Sequence, residues 1–330
     1  ARNLKPAQDM ILIEHLPFQT DIGIASRARI GLIVLATDFT IEHEWRKIIT
    51  PLAGVALYQS RILNDAQITP ETLRAMEPRI ASATDVILPG GELDVVAYGC
   101  TSASMAIGEE KVFARIREVR PGAKGTTPIT AAFAAFRAFG AKRIGVLTPY
   151  RADVNRIVAS YIQARGFEVP VFGSFHEQDD SIVARITPES IRSGVRRLLD
   201  TAKVDCVFVS CTSVRLAEAA RDIEAETGVP ITSSNHAMAW HALRLAGVSD
   251  ALPQWGRLFT RPLDCCAAAN LTARSSLRVR TGAASSARAR RCASSTRMAS
   301  RRWISSATTP PIRRSAITIP TRSRRLAAFS

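Results

Sequence analysis

Short apolar runs alternate with amphipathic stretches over residues 28–260. The run from Arg29 to Leu35 is typical of a parallel strand that is covered on both faces. Residues 41–49 have the helical period, and Val55 to Tyr58 form a second apolar run. Thr69-Pro70-Glu71 predicts a helix start, which we extend to about residue 83, because it places an N-cap, a proline and an acid in the expected order.

The pattern continues with a third strand that stops at a cysteine. Val95 to Gly99 is apolar, and Cys100-Thr101-Ser102 follows it. A helix is predicted around 111–119, a short strand over Thr126 to Thr130, and a helix from Ala131 to Phe139. Gly140 ends that helix, as glycine commonly does.

The same order of landmarks then recurs 102 to 118 residues later. The repeated stretches are Arg29-Ile30-Gly31 and Arg143-Ile144-Gly145, Thr69-Pro70-Glu71 and Thr187-Pro188-Glu189, Cys100-Thr101-Ser102 and Cys211-Thr212-Ser213, and Pro128-Ile129-Thr130 and Pro230-Ile231-Thr232. Each half alternates strand and helix four times. The sequence therefore predicts an internal duplication, with two similar α/β domains built on parallel sheets.

Charge is concentrated in the last part of the chain. The net charge is +15, but residues 263–330 hold fourteen Arg, no Lys and one acid, which leaves about +2 for the rest. A nearly neutral body argues against nucleic acid as its partner. The tail composition predicts disorder, and it is equally typical of an out-of-frame reading of a GC-rich gene, which we favour.

The two Cys-Thr-Ser stretches are the candidate chemistry. A thiol at the carboxyl end of a strand lies where α/β sheets bind ligands, and a following helix N-terminus favours thiolate. We expect a thiolate and a thiol to coexist near neutral pH. The hydroxyls and N–H groups of Thr101, Ser102, Thr212 and Ser213 are expected to bind a carboxylate.

The remaining residues suggest little further chemistry. Cys206 begins a strand and is expected to be structural, and Cys265, Cys266 and Cys292 lie in the tail without metal-ligand spacing. His236 is expected at the surface or as a helix cap. No glycine spacing indicates a nucleotide site, so neither metal nor cofactor is predicted. No signal peptide or membrane span is evident, which predicts a cytoplasmic protein with free thiols.

The duplicated halves with Tyr98-Gly99-Cys100-Thr101-Ser102 and Val209-Ser210-Cys211-Thr212-Ser213 resemble the aspartate/glutamate racemase superfamily. The stretch from Leu35 to Glu42 is similar to the branch containing maleate cis-trans isomerase and arylmalonate decarboxylase, and within it to racemase-like proteins associated with ectoine utilisation. The resemblance covers about residues 28–260. It implies a cofactor-independent enzyme whose Cys100 and Cys211 flank the reacting carbon of a small acid.

The resemblance also implies substrate-binding roles for Tyr150, Asp38 and Asp180. The last two stand where maleate isomerase has asparagines. Because an ionised Asp accepts hydrogen bonds but cannot donate them, these positions favour a substrate that carries an amine. The alternative is that both are loop or cap aspartates.

We therefore predict a racemase or isomerase of a small carboxylic or amino acid, with its site in the cleft between the domains and a link to ectoine breakdown. By resemblance the domains are 28–127 plus 237–261 and 128–236, with an extension over 1–27 and the tail over 262–330. Arylmalonate-type decarboxylation is a second possibility. A nucleic-acid- or membrane-binding protein acting through the tail is the alternative of another class. A homo-oligomer is left open.

Overall fold

The computed structural model describes residues 14–263, except 66, 68 and 178. Within them the chain forms eight strands and eleven α-helices. The strands are β1 (Ala28–Leu35), β2 (Val55–Ile62), β3 (Val95–Gly99), β4 (Lys124–Thr126), β5 (Arg143–Thr148), β6 (Glu168–Ser174), β7 (Cys206–Val209) and β8 (Ile231–Ser233). The helices are α1 (Ile41–Ile49), α2 (Pro70–Arg74), α3 (Ile80–Asp85), α4 (Thr101–Ile107), α5 (Glu109–Val119), α6 (Pro128–Phe139), α7 (Ala152–Gln163), α8 (Asp180–Val183), α9 (Pro188–Thr201), α10 (Ala220–Thr227) and α11 (Ser234–Leu245).

The strands form two parallel sheets with the same internal order. The first is β2-β1-β3-β4 and the second is β6-β5-β7-β8. Ile30 of β1 pairs with Leu57 and Val95, and the equivalent β5 is likewise flanked on both sides. The predicted duplication and α/β architecture are confirmed. Since equivalent strands occupy equivalent places, the ends of β3 and β7 correspond to each other.

The caps predicted from the sequence are present in both halves. The Thr69 side chain accepts a hydrogen bond from the N–H of Thr72, and Thr187 accepts one from Ser190. Gly140 has a φ of 68°, the left-handed conformation that suits glycine, and it ends α6. Local capping chemistry thus fixes these helix ends.

Two predicted elements differ from the structure. The helix expected over 70–83 is split into α2, a 3-10 turn at Glu77–Arg79 and α3. Pro78, which lacks an N–H, lies at the break. The strand expected over Thr126 to Thr130 ends at Thr126. Thr127 then caps α6, whose first residue is Pro128, because proline with a preceding threonine favours a helix start.

Helices α6 and α11 pack across the two halves. The α6 side chains Phe133 and Phe136 belong to the core of the second sheet, and Phe136 contacts Phe208 edge-on at 5.6 Å between ring centroids. Trp240 of α11 belongs to the core of the first sheet. Each helix therefore packs on the sheet of the other half. The domain limits inferred from the resemblance stay a prediction.

Residues 14–27 precede the first strand without helix or strand structure. Four large apolar side chains there are exposed: Leu16, Phe18, Ile22 and Ile24. The predicted tail after residue 263, with Cys265, Cys266 and Cys292, lies outside the described residues. Among the described residues, the search for membrane spans finds no helix with the length and apolar character that crossing a bilayer requires.

Candidate active site

Cys100 lies at the junction of β3 and α4. It is the N-cap of α4, and its Sγ accepts the N–H of Ala103 at 3.4 Å. The Ser102 hydroxyl is 3.8 Å from the same sulfur. Gly99 precedes it where a Cβ would stand 2.8 Å from the Ile33 carbonyl oxygen. Only glycine allows the two strands to approach so closely beside the thiol.

Cys211 occupies the equivalent place in the second half, but a different backbone follows it. Its Sγ accepts the N–H of Ser213 at 3.4 Å. The chain then makes turns, and α10 begins only at Ala220. The prediction that both cysteines open helices is therefore correct for Cys100 and wrong for Cys211.

Both cysteines line one narrow cavity of about 30 Å³. Its walls come from the strand ends of both halves and from the segment between β2 and α3. The lining residues are Leu35, Asn64, Asp65, Gln67, Thr72, Leu73, Met76, Cys100, Thr101, Ser102, Tyr150, Asp180, Cys211, Thr212 and Ser213. The structure thus brings together every residue proposed from the sequence except Asp38. These are the residues available to a ligand between the halves.

Both thiols are neutral in this state. Burial raises the pKa of Cys100 to about 11, although the Ala103 N–H and Ser102 act in the opposite direction. Burial and the nearby Asp180 raise the pKa of Cys211 to about 12, against the lowering effects of Tyr150 and the Ser213 N–H. We expected a helix N-terminus to lower the pKa of one thiol toward neutral pH. That expectation is wrong for the free protein, because desolvation raises the pKa by more than the local hydrogen-bond donors lower it.

The two aspartates occupy different places. Asp180 lines the cavity, with its carboxylate accepting from the Thr37 hydroxyl at 2.8 Å and the Ser213 hydroxyl at 3.1 Å. Asp38 is buried behind the lining, and its Oδ1 accepts the N–H groups of Thr40 and Ile41 at the start of α1. Its Oδ2 has no hydrogen-bond partner among the described residues. Burial raises the pKa of both carboxyls.

The charge of the cavity wall is entirely acidic. Asp65 and Asp180 line it, whereas Lys, Arg and His are absent from the residues that the structure describes there. Any carboxylate that enters must be bound by hydroxyls, side-chain amides and backbone N–H groups. A cationic group on the ligand, by contrast, faces two acceptors directly.

Tyr150 and the threonines connect the site to its surroundings. Tyr150 is held by Asn155, whose Nδ2 donates to the Tyr150 carbonyl at 2.8 Å. The Thr101 hydroxyl donates to that of Ser234 at 2.8 Å, at the start of α11. The Thr212 carbonyl accepts from Asn235 at 2.7 Å. The first two residues of α11 therefore contact both Cys-Thr-Ser segments.

The histidines lie away from the cavity. His236 is buried, not at the surface as expected, and its ring nitrogens contact the Thr232 hydroxyl at 3.0 Å and the Trp255 carbonyl at 2.6 Å. Burial lowers its pKa to about 4. Within the described part of the chain, no three His, Cys, Asp or Glu residues are grouped to hold a metal ion.

Several residues near the site were not identified from the sequence. Asn64, Gln67 and Met76 line the cavity from a segment whose helix start was predicted, but none of the three was identified as a site residue. The position of Glu44 could have been recognised from the sequence. It lies three residues after Ile41 and directly before Trp45, on the apolar face of α1. A charged residue on such a face is unusual, because buried acids occur mainly where they have partners.

Comparison with known proteins identifies the family to which the chain belongs. Residues 31–259 match the model of the arylmalonate decarboxylase family, so the chain belongs to that family. A maleate isomerase from Pseudomonas putida is 28% identical over 244 residues, covering 70% of this chain and 97% of that protein. An arylmalonate decarboxylase from Bordetella bronchiseptica is 31% identical over 136 residues, covering 41% and 57%.

A solved structure points to the chemistry of the family. It is a Cys-to-Ser mutant of Nocardia farcinica maleate cis-trans isomerase with a covalently bound succinylcysteine intermediate. It is 25% identical to this chain, has a TM-score of 0.65, and the match covers 71% of this chain and 98% of that one. The chain is thus an enzyme of an isomerase-like, cysteine-dependent family, and the matched region includes both cysteines and the whole cavity lining.

Proposed function

We propose that this protein is a cofactor-independent racemase or isomerase of a small carboxylic acid, with Cys100 and Cys211 acting on opposite sides of the substrate. The observation that carries the proposal is that equivalent strand ends of two duplicated halves deliver both thiols to one cavity. A single buried cysteine is ordinary packing. Two cysteines in equivalent positions on one cavity supply an acid and a base for the same carbon.

The proton balance of a racemisation is simple. The thiolate of one cysteine takes the α-proton of the substrate, and the resulting carbanion is delocalised into the adjacent carboxylate. The thiol of the other cysteine gives its proton to the opposite face. The cysteines exchange protonation states, and no proton is gained or lost overall. The same two groups act in the reverse direction on the other enantiomer.

One thiolate must form before this step, although both thiols are neutral in the free protein. A cationic group on the substrate would lower the pKa of the nearby thiols, since an opposite charge favours the ionised form. The acidic wall accepts the same group. The carboxylates of Asp65 and Asp180 on the wall therefore favour a substrate that carries an amine, and so do the raised thiol pKa values, to which Asp180 contributes.

The substrate carboxylate has its own donors in this proposal. Thr101 and Asn64 line the cavity, but they already donate to Ser234 and to Thr37 and Asp65. The hydroxyls of Ser102 and Thr212 and the side-chain amide of Gln67 also line it. Hydrogen bonds to a negatively charged oxygen are stronger than neutral ones. These groups would bind the carboxylate and stabilise the charge that develops on it when the α-proton leaves.

Isomerisation of a plain dicarboxylate is the second candidate. It is favoured by the maleate isomerase relatives, which match 70% of this chain at 28% identity. The acidic wall argues against two substrate carboxylates, because each added negative charge meets Asp65 and Asp180. Decarboxylation needs one proton donor only, so it leaves the second cysteine without a role. A link to ectoine breakdown stays a prediction.

A substrate panel tests the proposal. Small α-amino acids, diamino acids and dicarboxylic acids are incubated with the protein in D₂O, and α-proton exchange is followed by NMR. We expect exchange, with inversion, for one or more amine-bearing acids. Cis-trans conversion of a dicarboxylate without exchange would favour the second candidate. Loss of CO₂ from a malonate would favour decarboxylation.

A further inference from the structure

The two cysteines are held in place by different means. Cys100 is the N-cap of α4, so the helix itself fixes its backbone. Residues 210–219, which carry Cys211, contain neither helix nor strand. A segment without regular backbone hydrogen bonding opens more readily than a core helix or strand. Something other than secondary structure must fix Cys211 in the geometry that two-sided chemistry requires.

Glu44 of α1 supplies the main attachment. Its Oε1 accepts the N–H groups of Leu216 and Ala217, at 2.8 Å and 2.7 Å. These are backbone donors of the Cys211 segment, and Glu44 comes from the other half of the molecule. One carboxylate oxygen therefore ties two consecutive amides of the segment to α1.

The second carboxylate oxygen of Glu44 is linked to the Cys211 segment by the side chain of Asn235. Oε2 accepts from Asn235 Nδ2 at 2.8 Å, and the same nitrogen donates to the Thr212 carbonyl at 2.7 Å. The Thr40 hydroxyl, also next to α1, donates to the Ser213 carbonyl at 2.8 Å. The two residues directly after Cys211 are thus bound by the side chains of Asn235 in α11 and of Thr40, the N-cap residue of α1.

Burying the Glu44 carboxylate costs free energy, which indicates that its hydrogen bonds have a role. Glu44 is only 2% exposed, and no cationic side chain pairs with it among the described residues. Burying a carboxylate without a cation is expensive unless it is fully hydrogen-bonded. Its three donors are the compensation, and they all belong to the Cys211 segment or to the residue that holds it.

We propose that Glu44 is a positioning residue that fixes Cys211 against the substrate, and that it has no such effect on Cys100. The inference rests on the proposed function in that Cys211 is one of the two reacting groups. Glu44 is not among the residues that line the cavity. It acts through the amides of Leu216 and Ala217 and through Asn235.

The test is site-selective alkylation of the two cysteines in Glu44→Gln. The glutamine keeps one acceptor oxygen, but its NH₂ group meets the Asn235 NH₂ instead of accepting from it. The loosened segment exposes Cys211, which is now 5% exposed. We expect its alkylation by iodoacetamide at pH 8.5, followed by peptide mass spectrometry, to become about tenfold faster, with Cys100 within about twofold of the parent.

Glu224→Gln is the matched control. Glu224 is also a buried acid that accepts backbone N–H groups, from Ile231 and Arg257, but it does not contact the Cys211 segment. It should leave the reactivity of both cysteines unchanged. If Glu44→Gln leaves Cys211 unchanged, or accelerates both cysteines equally, the inference is overturned. If that variant does not fold, Glu44→Asp, which shortens the side chain, is measured against the same outcomes.

Turnover separates this inference from the proposed function. On a substrate identified from the panel, Glu44→Gln should lower kcat by about tenfold or more with little change in KM, because a misplaced reacting group slows the chemical step. Selective exposure of Cys211 without any loss of kcat would contradict the positioning role. Alkylation needs no substrate, so the attachment can be tested even if the substrate class is wrong.

Discussion

The Thr37 hydroxyl in the first half donates a 2.8 Å hydrogen bond to the Asp180 carboxylate in the second half. Asn64 binds the same threonine, with Nδ2 donating to its hydroxyl at 2.9 Å, and Ser213 donates to the other oxygen of Asp180. A chain of polar side chains therefore crosses the cleft at the cavity. It holds the Asp180 carboxylate in the cavity lining, where the substrate amine of the proposed function would bind.

Replacing Asp180 by asparagine should weaken binding of an amine-bearing substrate. The change removes the negative charge at nearly constant size, and hydrogen bonds to charged groups contribute more than neutral ones. We expect KM for such a substrate to rise about tenfold or more. Asp179→Asn is the control, because Asp179 is the exposed neighbour that caps α8. An unchanged KM in Asp180→Asn would show that Asp180 does not bind the substrate.

The raised thiol pKa values predict a steep pH dependence of cysteine reactivity. With pKa values of about 11 and 12, Cys100 and Cys211 are almost entirely protonated at pH 7. The thiolate fraction, and with it the alkylation rate, should rise about tenfold per pH unit up to at least pH 9. Free cysteine, measured in parallel, levels off near its ordinary pKa. A plateau below pH 8 for either protein thiol would contradict the assignment.

The raised pKa of Glu44 predicts that the stability of the folded protein depends on pH. Burial raises its pKa from 4.5 to about 7 in the folded protein. The folded state therefore holds the proton more tightly than the unfolded state does. The resulting stabilisation is complete below pH 4.5 and is lost as the pH rises to about 7.

The neutral variant Glu44→Gln lacks this contribution. Between pH 4.5 and pH 7, the parent should lose of order 3 kcal/mol of unfolding free energy relative to the variant. Urea unfolding of both proteins at several pH values measures the difference. A difference that stays constant across this range would show that Glu44 titrates with an ordinary pKa.

The sequence predicts the fold and both thiols for a local reason. Apolar runs ending in Cys-Thr-Ser, repeated in order, specify which strand ends carry the cysteines, and parallel sheets place such ends at one edge. The caps at Thr69 and Thr187 are likewise local and were predicted correctly. Features that depend on contacts between residues far apart in the chain could not be predicted from such local patterns.

Three features of the structure could not be predicted from the sequence. The turn after Cys211 replaces the expected helix, because Glu44 and Asn235 bind the backbone that a helix would otherwise satisfy. The thiol pKa values depend on burial by both halves together. Asn64, Gln67 and Met76 line the cavity together with the cysteines, although nothing in the sequence around them indicates a site.

The basic tail provides a test of the alternative class. A variant ending at Leu263 keeps the region matched by the family and all the cavity-lining residues. We expect its turnover to equal that of the full chain. Binding of the full chain to DNA or to anionic vesicles, with catalysis absent from both proteins, would instead favour a binding function for the tail.

The most direct measurement of the central claim compares Cys100→Ser and Cys211→Ser on a racemising substrate in D₂O. Each should lower turnover by about a thousandfold, because each direction needs one thiolate and one thiol. Each variant should still exchange the α-proton of one enantiomer, and the two should prefer opposite enantiomers. Cys206→Ala, at a third buried cysteine outside the cavity lining, is the control and should turn over normally.

The outcomes are distinct. A decarboxylase would lose activity in one variant and keep most of it in the other. An isomerase that adds through Cys100 would form a covalent adduct detectable by intact mass in Cys211→Ser but not in Cys100→Ser. Two-sided chemistry by the cysteines predicts near-complete loss of turnover in both serine variants, with residual exchange of opposite enantiomers. Normal turnover in both would contradict it.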